Sequence, residues 1–162
     1  MGSFFSTLGR SAQASSVSML GPLIGAIIGY IIAPSSMFVI ALCSAIATYI
    51  ASAFSTLWVL SMKCHGEFFD SDRAKVAWTA SLYPTGGVVV AWIVLYLFSL
   101  RKMAFNKAIE VVNTAGDIIG TESASVPIIM VFIGIFLSCG TAFFSGLWSL
   151  SFAQMYKCPK KE

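Results

Sequence analysis

Charge is what this chain has least of. Asp, Glu, Lys and Arg make up 10% of its 162 residues, and there is one histidine. Soluble domains carry about 25% charged residues. With 57% hydrophobic residues, a water-soluble domain of this size would leave much apolar surface uncovered, because small domains have a large surface for their volume. The formal charge is only +3, and the ten basic residues are scattered. No basic stripe of the kind that tracks a phosphate backbone is present, so nucleic acid is not an expected partner.

Chemistry-bearing motifs are equally scarce. There is no phosphate-binding loop, serine elbow or zinc-protease helix. His65 stands beside Cys64, with Glu67, Asp70 and Asp72 nearby. No second His or Cys falls at ligand spacing in that segment, so it reads as a solvated loop rather than a metal site. A Cys-His pair without an orienting third group does not make a nucleophile. The expectation is a non-catalytic protein without cofactor or metal.

What is present is four apolar runs, at about 17–33, 36–61, 76–100 and 126–152. A spanning helix needs about 20 apolar residues. The runs are continuous rather than alternating, which argues against barrel strands. The chain is therefore expected to be an all-α integral membrane protein. It would be a single domain, 1–162, with four transmembrane helices and membrane lipid as its solvent. Residues 1–16 would form an N-terminal arm, and 62–75 and 101–125 loops. Arg10 before the first run is also compatible with a signal peptide. No A-x-A site follows, since the chain reads Ile31-Ile32-Ala33-Pro34, and a retained helix is expected.

Two segments have the pattern of short interfacial helices. In "MAFNKAIEVVNTAG" (103–116), Phe105, Ile109 and Val112 share a helical face, and Gly116 is a natural stop. Near the N-terminus, "GSFFSTLGRSAQASS" is polar apart from Phe4, Phe5 and Leu8. It reads as an interfacial helix or an arm.

Basic residues set sidedness. With four spans, both termini and the 62–75 loop share a side. That side holds Arg10, Lys63, Arg73, Lys75, Lys157, Lys160 and Lys161, whereas Arg101, Lys102 and Lys107 lie opposite. Both termini are expected in the cytoplasm. Trp58, Trp78 and Trp148 fall near the same end, as interface anchors do.

None of the four runs contains Asp, Glu, Lys, Arg or His. An ionisable residue in the membrane is the usual mark of a proton relay or ion path. A pump therefore has no candidate carboxylate here. Small residues recur instead. The first run has Gly21, Gly25 and Gly29, two overlapping GxxxG units. The second has Cys43, Ala47, Ala51 and Ser55 on one stripe, with Ser44, Thr48 and Ser52 beside it. The fourth has Gly134, Ser138, Ala142 and Gly146. Lipid tails are as apolar as leucine, so helices in lipid associate by close approach across small residues. Three such ladders point to tight helix packing.

"STLWVLSMKC" (55–64) echoes "SGLWSLSFAQMYKC" (145–158), with Ser, Leu, Trp, Leu and Ser recurring at the same spacing. The echo fits two parallel hairpins.

The third run is interrupted at "SLYPTGGVVVAW", where Pro84, Gly86 and Gly87 form a helix break. Proline removes the bond to the carbonyl four residues back, here that of Ala80. Either the helix bends and neighbouring Ser or Thr hydroxyls satisfy that carbonyl, or it opens into an ion or substrate site. The bend is the stronger reading. Transporters with discontinuous helices pair their breaks, whereas Gly21-Pro22 sits near the start of the first run. A further arrangement starts the span at Pro84 itself, with 73–82 on the surface.

Gly2 lies in the myristoylation pattern M-G-x-x-x-[ST], and Cys64 and Cys158 each follow a lysine just past a span, the context of palmitoylation. These three are the lipidation candidates, with free thiols the plainer alternative for the cysteines. The leading expectation is a structural or assembly subunit of a larger membrane complex, in an organelle or a membrane-containing virion. It would have other membrane protein subunits as partners. A small channel or transporter using the Pro84–Gly87 break, and a lipid-anchored membrane organiser, are the alternatives.

Overall fold

A computed structural model describes residues 2–64, 71–113 and 128–155. Side-chain surroundings are described for 13–63, 71–100, 128–151 and a few positions beside these. Among the described residues there are five helices and no strand: α1 (Gly2–Ile32), α2 (Met37–Cys64), α3 (Ser71–Ala80), α4 (Leu82–Asn113) and α5 (Ile128–Gln154). Four stretches are long and apolar enough to cross a membrane: Gln13–Ile32, Met37–Lys63, Ser71–Leu100 and Ile128–Ser151. Here α3 and α4 act as one span, separated by Ser81 alone. The architecture is that of an all-α, four-span membrane protein.

The turns follow from local chemistry. Pro34 ends α1, and the Ala33 N–H closes on the Gly29 carbonyl at 3.0 Å. Ser36 then caps α2: its Oγ accepts from the Val39 N–H at 3.4 Å. A hydroxyl at that position satisfies one of the donors a helix start leaves open.

Neighbours around the bundle run α1, α2, α3/α4, α5 and back to α1, with α2 and α5 in lesser contact across the middle. Each helix lies against antiparallel neighbours. The core holds Ala26, Ile40, Val88, Trp92, Leu95, Val131 and Ala142, and a smaller cluster holds Ala14, Val59 and Leu150. Outward faces are strongly apolar: Phe38, Phe132, Phe136 and Phe144 are all exposed, Phe136 to 80%. Only 22% of the α5 span is buried, against 39% of the α1 span. A surface this hydrophobic matches a hydrocarbon surround rather than water.

Three boundaries differ from expectation. The arm assigned to 1–16 belongs to α1, which is helical from Gly2. Its last part is anchored, with Ala14 and Ser15 buried. The segment 103–116 is not a separate interfacial helix, since α4 continues through it to Asn113. No Gly or Pro between Leu100 and Asn113 gives the helix a reason to stop. The loops shrink accordingly, because α2 reaches Cys64 and α3 starts at Ser71, with Asp72 in its first turn.

Candidate functional site

The closest helix contact is between α1 and α2. A Cβ on Gly21 would fall 2.5 Å from the Thr48 Cα and 2.9 Å from the Ala47 carbonyl oxygen. One on Gly25 would run into the Cys43 carbonyl oxygen and lie 2.6 Å from the Ser44 Cα. One on Gly29 would fall 2.6 Å from the Ile40 Cα. Backbone thus lies on backbone over two turns. The side of α2 that is buried is the hydroxyl row Ser44, Thr48, Ser52, Ser55 and Thr56, while Cys43, Ala47 and Ala51 are half-buried at its edge.

The α5 residues serve two partners. Gly134 receives the Trp92 ring of α4, Ser138 and Ala142 are fully buried, and Gly146 faces the Ser15 and Ser18 hydroxyls of α1. Gly87 packs on Thr141 and Ser145 of α5, whereas Gly86 is exposed with open space beside it.

Hydroxyls and one thiol tie the helices together through backbone carbonyls. Ser15 Oγ donates to the Phe143 carbonyl at 2.6 Å, joining α1 to α5. Cys139 Sγ donates to the Met19 carbonyl at 3.4 Å, joining the same pair. Ser44 Oγ lies 3.4 Å from the Pro22 carbonyl and 2.9 Å from that of Ile40. Thr48 and Thr56 bond carbonyls four residues back, and Ser52 and Ser55 carbonyls three back. Buried hydroxyls that have spent their proton on the backbone in this way are packing groups first.

The Pro84 region has the most informative geometry. The irregularity falls at Ser81, three residues before Pro84, because a proline ring disturbs the turn that precedes it. Helical bonding persists on either side: Ser81 N–H to the Ala77 carbonyl at 3.0 Å, and Thr85 N–H to the Ser81 carbonyl at 3.3 Å. The carbonyl that Pro84 cannot reach is that of Ala80. Ser149 Oγ of α5, 1% exposed, donates to it at 2.8 Å. Ser81 Oγ bonds the Trp78 carbonyl at 2.7 Å, and Thr85 Oγ1 the Ser81 carbonyl at 2.8 Å. Pro84 itself is fully buried. The carbonyls of Ala77, Trp78, Ala80 and Ser81 in this turn each accept a hydrogen bond.

Ser149, Ser15 and Arg73 were not singled out from sequence. Arg73, counted there as a flanking loop charge, is buried in the first turn of α3. No pattern within α5 marks Ser149, whose role depends on α3 lying opposite. Of the lipidation candidates, Gly2 opens α1 and Cys64 closes α2, but their side-chain surroundings lie outside the described residues, as does Cys158 altogether. His65, Glu67 and Asp70 lie outside them too. The two echoed segments end α2 and α5, at one end of the bundle. Leu60 and Leu150 are both buried there, and Trp58 and Trp148 both exposed.

Comparison with protein-family models, with curated proteins and with solved structures found no match to this chain. The fold alone defines the class, a polytopic helical membrane protein.

Proposed function

We propose that this protein is a non-catalytic structural or assembly subunit of a larger membrane complex, with both termini in the cytoplasm. The observation that carries the reading is the capped Pro84 turn. The carbonyl freed at the interruption between α3 and α4 is taken by Ser149, which supports a fixed bend over a vacant coordination site. Two further features support it. The α1–α2 contact is backbone on backbone, which suits a rigid element rather than a gate. The α5 span leaves most of its surface uncovered by its own chain, with Phe132, Phe136, Phe144 and Trp148 outward. Such a face is available to a neighbouring membrane protein as well as to lipid.

Purification in mild detergent followed by mass spectrometry of co-eluting proteins tests the reading. Stoichiometric membrane partners, lost on replacing Phe136 and Phe144 by Ala, are the expected result. A monodisperse protein without partners that conducts ions or solutes in liposomes would overturn it.

A further inference from the structure

Where α3 passes into α4, against the last turn of α5, lies a groove of about 320 Å³ lined by Lys75, Val76, Thr79, Ala80, Tyr83 and Ala153. Ala80 and Ala153 are buried, whereas Lys75, Thr79 and Tyr83, spaced by four, are exposed along one edge. Thr79 Oγ1 donates its proton to the Lys75 carbonyl at 2.7 Å. Lys75 is the one charged lining residue. Its Nζ lies 3.6 Å from Asp72 Oδ1, and the two side chains are 79% and 71% exposed. Such an exposed pair is held weakly and yields to a competing ligand. Arg73, the third charged residue of α3, is buried. The height of the groove in the bilayer follows from the other end of the span, where Arg101 and Lys102 succeed Leu100. About 30 Å of hydrocarbon, at ~1.5 Å per residue, counts back from Leu100 to about Ala80. Tyr83 is then inside the hydrocarbon, Lys75 is at headgroup level, and Asp72 starts one turn further out.

We propose that this groove binds a phospholipid with a zwitterionic, primary-amine headgroup, of phosphatidylethanolamine chemistry. The start of an acyl chain lies along Val76, Ala80 and Ala153, the phosphate meets the Lys75 ammonium, and the lipid ammonium meets the Asp72 carboxylate. Charge complementarity selects that occupant. Running outward, the site offers an apolar floor, a cation and then an anion, and the lipid has tail, phosphate and amine in the same order. Lysine only donates and an ionised aspartate only accepts, so each pairs with one end of the headgroup through a charge-assisted hydrogen bond. A net-negative headgroup is disfavoured, because the Asp72 carboxylate beside Lys75 repels it. A quaternary choline has no N–H to give Asp72. The site does not depend on the subunit role proposed above.

The test uses the full chain in phosphatidylcholine nanodiscs, with a trace of phosphatidylethanolamine carrying a diazirine on an acyl chain close to the glycerol. Cross-links are expected to concentrate on the peptides covering 75–83 and Ala153. Unlabelled phosphatidylethanolamine should compete for them better than added phosphatidylcholine or phosphatidylglycerol. Lys75→Gln removes the cation and should lower labelling of those peptides about two- to fivefold, the worth of one exposed ion pair. Asp72→Asn should cut the advantage of phosphatidylethanolamine over phosphatidylcholine by a similar factor and let phosphatidylglycerol compete better than in the wild type. Both substitutions fall on exposed side chains, where the fold tolerates change. Even labelling over all lipid-facing peptides, competition by phosphatidylcholine or phosphatidylglycerol equal to that by phosphatidylethanolamine, or two variants that behave as the wild type would overturn the proposal. The wild-type competition decides alone should a variant fail to fold.

Discussion

Ser149 on α5 donates its hydroxyl proton to the Ala80 carbonyl at 2.8 Å, and Ala80 is the residue whose helical partner Pro84 lacks. The two residues are 69 apart in sequence and meet because α5 runs back along α3. A cost created within one helix is met by a side chain of another. The bend and the packing of α5 are therefore one feature, not two.

Breaking that relationship should be measurable. Ser149→Ala leaves the Ala80 carbonyl without a donor in an apolar surround. The expected loss is about 1 kcal/mol, since hydrogen bonds between membrane helices average ~0.6 and reach ~1.7 kcal/mol. In a Pro84→Ala background the backbone N–H returns to Ala80, and the same substitution should cost much less. Unfolding in mixed micelles, read as a double-mutant cycle, checks this. Strictly additive effects would mean that Ser149 is not the cap.

Two glycines should respond with opposite signs. In Gly25→Ala the new methyl meets the Cys43 carbonyl and the Ser44 Cα. These are backbone atoms that cannot rotate away, so α1 and α2 must separate, at about 1–3 kcal/mol. Gly86→Ala enters open space and should be neutral or stabilising by up to about 1 kcal/mol, the usual gain of Ala over Gly in a helix. Thermal melts of the two variants in one detergent make the comparison.

Gly134 and Trp92 form a notch and its wedge. Gly134→Ala should destabilise the α4–α5 contact by about 1–3 kcal/mol through overpacking. Adding Trp92→Leu, which removes the ring from the notch, should recover part of that loss. A coupling of about 0.5–3 kcal/mol is the range for residues in direct contact. Equal destabilisation by Gly134→Ala in both backgrounds would show that the notch is not where the strain falls.

The spans were legible because lipid demands long uncharged runs, and four such runs stand in the sequence. The place of Pro84 was legible for the same kind of reason: the missing N–H names the orphaned carbonyl, Ala80, without any structure. Which hydroxyl answers it was not legible, because no local signature sets Ser149 apart from Ser145 and Ser151 on the same helix. Helix ends were the weak point. Ser15 helps make the N-terminal stretch look like a polar arm, yet it bonds a carbonyl of α5, so polarity there is spent on packing. Beyond Leu100, the change to charged residues marks where lipid ends, but it gives no cause for the helix to end, and α4 runs on to Asn113. The glycine ladders named residues but not partners: Gly134 and Gly146 lie twelve residues apart, about 120° around the helix, and contact different helices.

The central claim is that the bundle's outward apolar face lies in hydrocarbon. Spin labels on single cysteines at Phe132 and Phe136 of α5, in a variant whose native cysteines are replaced and which is reconstituted in bilayers, test it most directly. High collision rates with oxygen and low rates with a water-soluble nickel chelate are expected at both, with a label at buried Ser138 shielded from each. Ready access of the nickel chelate to position 136 would contradict the account.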